Sequence, residues 1–254
     1  MKIVALSYCG APLISCNLRL FIWTEGRAMT LQSDTLGSAR PTRVRPRRTP
    51  GSVYAAKRWM DVAGALLGLI ILSPLFLLVA LVIKVTDGGS IFYGHKRVGR
   101  GGRDFACLKF RTMVQDGDAV LQRYLAENPE AEAEWLATRK LQNDPRVTSI
   151  GSVLRKLSLD ELPQLINILR GEMSIVGPRP VVRAELDYYG SNAPVYLSTR
   201  PGLTGLWQVS GRNDVSYDAR VAFDRQYVEN WSLGSDIMII LKTVPAVCLS
   251  RGSY

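Results

Sequence analysis

The chain has 254 residues, 47% of them hydrophobic and 21% charged, a balance that builds a core and excludes a wholly disordered protein. Its four cysteines (Cys9, Cys16, Cys107, Cys248) have no paired spacing, and His95 is the one histidine; this excludes a zinc ribbon, a C-x-x-C redox pair, a disulfide-stapled fold and H-E-x-x-H chemistry, and leaves a Ser-His-Asp triad little room. The formal charge is +10, but residues 1–60 hold ten bases against two acids and carry +8, leaving the rest of the chain at +2, so no nucleic-acid partner is expected of the body.

Residues 1–52 read as a disordered basic arm. Ser33 to Ser52 is rich in Arg, Pro, Ser, Thr and Gly, the composition of an unfolded linker. Its arginines suit an anionic leaflet, at about 1 kcal/mol each near the surface. Residues 53–86 form the next segment. From Val62 to Ile83 Ser73 is the only polar side chain, and about 20 apolar residues span a bilayer core. Two readings follow. One is a single-pass helix with a tolerated proline. The other is a re-entrant helix bent at Ser73-Pro74, where proline removes an N–H and clashes with the preceding turn. Bases flank both ends: Arg40, Arg43, Arg45, Arg47, Arg48, Lys57 and Arg58 before, and Lys84, His95, Lys96, Arg97, Arg100 and Arg103 after. The positive-inside rule then holds both ends in the cytoplasm, which favours re-entry.

Residues 87–254 read as a compact cytoplasmic domain. Ile91-Phe92-Tyr93 and Phe105 to Phe110 around Gly99-Arg-Gly-Gly102 predict a β-hairpin. Gln115 to Leu141 predicts one or two acidic, solvated helices broken near Asn128-Pro129. Ser158-Leu-Asp-Glu161 fits a capping box, with Ser158 as N-cap and a helix from Leu159 to Arg170 stopped by Gly171. Asp160 and Glu161 then have two readings, either first-turn residues that merely stabilise the helix or chemistry. Arg155 and Lys156 before the cap and Arg179 between two prolines make a place for a phosphate and a divalent cation. Downstream, Arg200 to Asn213 is rich in glycine and ends in Arg212-Asn213. Asp218 opens a helix in which Phe223, Tyr227 and Trp231 recur, a stripe that reads as packing before ligand stacking. The segment after Asp236 is a short apolar helix, core or interfacial. The fold class predicted is α+β, mainly helical, with a small β-hairpin and amphipathic interface helices.

From Tyr54 onward the chain resembles the bacterial sugar transferase family, the monotopic polyprenyl-phosphate phosphoglycosyl transferases. The motifs that carry the resemblance are Lys57-Arg58 with Asp61, Ser73-Pro74, LKFRTM at 108–113, NDPRVT at 143–148, LRKLSLDELPQ at 154–164, VGPRP at 176–180, RPGLTG at 200–205 and QVSGRN at 208–213. It is most similar to the short exopolysaccharide-initiating hexosyl-1-phosphate transferases; residues 1–50 lie outside the likeness. The resemblance implies transfer of a sugar 1-phosphate, galactose or glucose, from a UDP-sugar to undecaprenyl phosphate, with release of UMP. It implies Asp160 as nucleophile and Glu161 as its partner, with Mg2+ held by Asp160, Glu161 and Asp224. Arg155, Arg212 and Asn213 would serve the phosphates and Arg179 the nucleotide. Membrane lipids and downstream glycosyltransferases are the further partners, and the bacterial inner membrane the location. The rival reading is a non-catalytic membrane scaffold for polysaccharide assembly, which has no need to gather these charges.

Overall fold

The computed structural model describes residues 23–24, 27–28, 51–138, 141–210 and 215–248. The chain divides into two units, residues 1–45 and residues 46–254. In the first, β1 (Trp23–Thr24) pairs antiparallel with β2 (Arg27–Ala28), a short pairing within residues 1–52, which the sequence reads as a disordered arm.

The second unit opens with α1 (Gly51–Asp87), a helix of 37 residues, about 55 Å long at 1.5 Å per residue. It is long and apolar enough to cross a membrane. Asp61, Ala65, Val79 and Ile83 are buried, with Leu69, Leu75 and Phe76 partly buried between them. Spacings of three, four and seven residues make this one stripe along the helix. The opposite side, including Leu66, Leu67, Ile70, Ile71, Leu77, Leu78 and Leu81, is exposed. Gly64 and Gly68 let neighbours come close, since a Cβ on Gly64 would lie 2.6 Å from Ile175 and one on Gly68 3.3 Å from Leu165.

The backbone stays helical through Ser73-Pro74, the position of the bend in the re-entrant reading and of the tolerated proline in the single-pass one. Pro74 cannot donate to the Ile70 carbonyl. Ser73 Oγ donates to that carbonyl instead, at 2.8 Å, so no backbone acceptor is stranded on the apolar side. Lys57 and Arg58, counted in the sequence as a topological flank, are taken up by the protein. Arg58 donates to the Ile168 and Leu169 carbonyls at 2.7 and 2.9 Å, and Lys57 pairs with Asp236 at 2.7 Å.

The predicted hairpin is present as β3 (Phe92–Val98) and β4 (Asp104–Phe110), antiparallel with Tyr93 opposite Lys109 and His95 opposite Cys107. Gly101 and Gly102 turn it at φ of 70° and 78°, a region open to glycine. The acidic stretch forms α2 (Gly117–Glu127) and α3 (Pro129–Thr138), broken where predicted. Then come α4 (Ser149–Lys156) and α5 (Gln164–Arg170). The strand β5 (Ser174–Val176) pairs parallel with β6 (Gly202–Thr204), and α6 (Arg183–Leu186) and α7 (Ala193–Leu197) lie between them in sequence. The last elements are α8 (Leu206–Ser210), α9 (Tyr217–Glu229) and α10 (Leu233–Cys248).

Apolar clusters join these pieces. Ala65 packs with Phe105, Cys107, Leu165, Ile168 and Met173, and Val79 and Ile83 with Phe110 and Leu154. Both halves of α1 are therefore core to the domain. On α10 Ile239 is buried while Ile237, Met238, Leu241 and Val244 are exposed, so this helix is core on one side and apolar surface on the other.

Candidate active site

The local structure around the two carboxylates differs from the capping box. Ser158 has φ 56° and makes no side-chain cap. Its N–H instead bonds the Arg155 carbonyl at 3.0 Å, so it closes α4 rather than opening the next helix. Leu159–Glu161 is a single 3-10 turn. Pro163 has no N–H to give the Leu159 carbonyl, which Leu162 N–H takes at 3.2 Å. The regular helix starts only at Gln164 and ends, as predicted, at Gly171 with φ 81°. The support expected for Asp160 from a long helix dipole is thus absent.

What surrounds the pair is a cation. Lys109 Nζ on β4 lies 2.7 Å from Glu161 Oε1 and 3.4 Å from Asp160 Oδ2. Burial pushes the Asp160 carboxyl above the usual carboxylate range, and Lys109 is the strongest influence opposing it. Burial also pushes Glu161 upward, but Lys109, Arg179 and Arg97 together hold it below its ordinary value. Neighbouring acids displaced in opposite directions are poised for different roles. Asp160 becomes the more basic carboxylate, and Glu161 the one that stays charged.

Glu161 and Lys109 line a shallow cleft with Arg97, Gln164, Arg179 and Gln208. Arg179 lies over the buried Trp207 ring at 5.9 Å, which fixes its guanidinium. Gln208 Oε1 is buried without a protein partner among the described residues, an acceptor left for a ligand donor. Three cations and an open acceptor beside two carboxylates suit an anionic, hydrogen-bonding substrate such as a nucleotide diphosphate.

The other residues singled out in the sequence fare differently. Arg155 Nε donates to Thr112 Oγ1 at 2.9 Å, and its charge reaches Asp160. Arg212 and Asn213 lie outside the described residues. Asp224 is not brought to the dyad. It is buried under Tyr189, whose hydroxyl donates to Oδ2 at 2.7 Å, in a separate small cavity with Tyr196 and Val221. No group of three or more His, Cys, Asp or Glu side chains among the described residues could hold a metal. A divalent cation still fits Asp160 and Glu161. Both offer hard oxygen donors, each with a second carboxylate oxygen that Lys109 does not touch, and Mg2+ is commonly held by one or two carboxylates with substrate phosphates supplying the rest. The aromatic stripe of α9 is packing: Tyr227 is buried and Trp231 packs beside it, with Trp231 Nε1 donating to Asp236 at 3.0 Å.

The placement of Asp224 gives a measurable consequence. Burial raises its carboxyl from 3.8 to about 7, so the fold favours the protonated form. Its contribution is complete below about pH 4 and is lost as pH rises through 7. At about 1.4 kcal/mol per unit that is roughly 4 kcal/mol, more than half of it between pH 5 and 8. Asp224→Asn keeps an acceptor for Tyr189 and cannot ionise. Its thermal midpoint in detergent should therefore fall much less than that of the wild type between pH 5 and pH 8. Equal falls would show that Asp224 does not titrate in this window.

Sequence reasoning missed Lys109 and Arg97 as site residues, although Lys109 stands inside a quoted motif and on a strand of the predicted hairpin. It also missed Asn167, which is fully buried. Asn167 accepts from Leu108 N–H at 2.9 Å and donates to the Ala106 carbonyl at 2.8 Å. This locks α5 to the strand that carries Lys109.

Residues 52–250 match the family model described as bacterial sugar transferase. The chain is 66% identical over 199 residues to the exopolysaccharide production protein ExoY of Rhizobium meliloti, which covers 78% of this chain and 88% of the relative. Against the undecaprenyl-phosphate galactose phosphotransferase of Salmonella typhimurium identity is 54% over 199 residues, 78% of this chain and 41% of that longer protein. Against the UDP-glucose:undecaprenyl-phosphate glucose-1-phosphate transferase of Caulobacter vibrioides it is 40% over 213 residues, 80% and 73%. With the matched region spanning the membrane helix, the Lys109-Asp160-Glu161 cluster and the cleft beside it, the chain belongs to the bacterial sugar transferase family.

Proposed function

We propose that this protein transfers a hexose 1-phosphate, galactose or glucose, from a UDP-hexose to undecaprenyl phosphate as the first membrane step of exopolysaccharide repeat-unit synthesis. The observation that carries the reading is the cluster of Asp160, Glu161 and Lys109 at a cleft walled by Arg97 and Arg179. A relative named for galactose and another named for glucose support the donor class.

In this mechanism the arginines hold the diphosphate, and an Asp160 oxygen attacks the phosphorus that bears the sugar. The bond from that phosphorus to the bridging oxygen breaks, and UMP leaves with the electron pair. The sugar phosphate is then joined to Asp160 as a mixed anhydride. A phosphate oxygen of undecaprenyl phosphate attacks the same phosphorus and the bond to Asp160 breaks, which regenerates the carboxylate. Lys109 keeps Asp160 ionised for the first step and offsets the negative charge gathering at phosphorus. Glu161 stays charged and orients Lys109. When bound, Mg2+ held by Asp160 and Glu161 would neutralise the diphosphate so that a carboxylate can approach it.

The direct test is to incubate membranes containing the protein with undecaprenyl phosphate and a panel of UDP-sugars. UMP should appear with at least one UDP-hexose, and only UMP, not UDP. Absence of release across the panel would overturn the reading in favour of a scaffold. The topology proposed is re-entrant, with the catalytic domain on the cytoplasmic face of the inner membrane. Arg45→Cys and Arg100→Cys should then both be labelled by an impermeant maleimide from the cytoplasmic side only. Labelling on opposite faces would establish a crossing helix.

A further inference from the structure

We propose that Tyr93 and His95 on β3 form the surface that receives the hexose ring of the donor and discriminates between hexoses, an inference that rests on the UDP-hexose reading above. The pairing register carries it. Tyr93 stands opposite Lys109, His95 opposite Cys107 and Arg97 opposite Phe105. Side chains alternate along a strand, so Tyr93, His95 and Arg97 share one face of the hairpin with Lys109, Cys107 and Phe105, of which Cys107 and Phe105 are buried in the core. Arg97, Cys107 and Lys109 all line the cleft, and Tyr93 and His95 stand beside Lys109 and Cys107 on that face. The alternate residues go the other way: Phe92 stacks on Phe110 at 5.6 Å, and Phe110 meets Phe76 of α1 at 5.1 Å.

Tyr93 is thus an aromatic ring left 54% exposed directly across from the lysine that touches both carboxylates. A hexose has a C–H face that packs on such a ring and a hydroxyl edge that needs directional partners. His95 supplies the direction. Its ring centroid lies 6.0 Å from that of Tyr93, and its Nδ1 lies 3.3 Å from Arg97 Nη2. A guanidinium can only donate, so Nδ1 is the acceptor and the imidazole proton sits on Nε2. Burial first, then the charges of Arg97 and Lys109, hold His95 below its ordinary value against the weaker opposing pull of Glu185. The imidazole is accordingly neutral near pH 7, with a single N–H donor of fixed orientation. Such a donor distinguishes an axial from an equatorial hydroxyl, because the wrong epimer leaves a polar group unpaired. Arg97, at the other end of the row and paired with Glu185 at 3.4 Å, lines the cleft that would take the phosphates, so one strand would meet both parts of the sugar phosphate.

The experiment uses the full-length protein in membranes, with UDP-galactose and UDP-glucose as the epimeric probes and UDP as a competitor that carries no sugar. His95→Ala should shrink the ratio of kcat/KM between the two hexoses at least tenfold. Tyr93→Leu should raise KM for both about tenfold, with Tyr93→Phe restoring it. Inhibition by UDP should stay within twofold in every variant. A hexose ratio unchanged in His95→Ala, or a parallel loss of UDP inhibition, would overturn the assignment. So would a Tyr93→Leu protein whose only defect is release from membranes, which would make Tyr93 a lipid contact. If the wild type releases UMP from no UDP-hexose, the donor reading fails first; if it does and these variants keep its preference, only this inference fails.

Discussion

Asp160→Asn should keep its fold and lose turnover by on the order of 10³-fold or more, the scale seen when a covalent nucleophile is removed. Asn preserves the size of the side chain but cannot donate an electron pair to phosphorus as a carboxylate does. In the structure Asp160 is 7% exposed and no helix cap depends on it, so little stability is at stake. With UDP-hexose and no lipid, the wild type should release at most one UMP per protein. The sugar phosphate should then be found on the peptide that contains Asp160, and should leave when undecaprenyl phosphate is added. Steady-state patterns should be ping-pong. A direct transfer would instead need both substrates before any UMP appears and would label no peptide. Near wild-type turnover by Asp160→Asn would end the nucleophile assignment.

Lys109→Met should cost about 10²- to 10³-fold in kcat, the usual loss of one preorganised charge at a reacting centre. The pH profile separates this from simple misfolding. Burial already raises the Asp160 carboxyl, and Lys109 is the main influence that resists it. Without the ammonium the carboxyl rises further, so a larger fraction is protonated at neutral pH. The acid limb of the rate profile, where Asp160 gains its proton, should therefore move to higher pH, and activity should recover partly as the solution is made alkaline. Lys109→Arg keeps the charge and should hold the limb near its wild-type position. A variant with reduced rate but an unmoved limb would place Lys109 in substrate binding alone.

Much of the architecture is readable from local signals. The glycines at 99–102 and the flanking apolar runs give the hairpin, Asn128-Pro129 gives the α2–α3 break, and Gly171 gives the end of α5. Each of these is decided by a few neighbouring residues. The Ser158 error has the same scale but a different cause. A capping box and a left-handed helix terminator look alike as letters, and Pro163 tips the outcome by denying the next turn its N–H. Long-range pairings are not readable at all. Lys57 finds Asp236 179 residues away, and Lys109 reaches Glu161 across 52. Composition therefore reads Lys57 as a membrane flank and gives Lys109 no role, where the fold gives both partners. Asp224 illustrates the converse: an acid downstream of a polar motif reads as a ligand, until tertiary packing turns it toward Tyr189.

The membrane helix closes the domain as a keystone closes an arch. A protease cut or a shortened gene that removed α1 would strip Asp236, which is fully buried, of its counter-ion, and would leave the Ile175 N–H without its Asp61 acceptor at 3.0 Å. An uncompensated buried charge alone costs about 3–5 kcal/mol, a large part of what a domain this size has to spare. A fragment without α1 should accordingly be unstable in water, so the residues that would hold the chain at a membrane are the same ones that complete its fold.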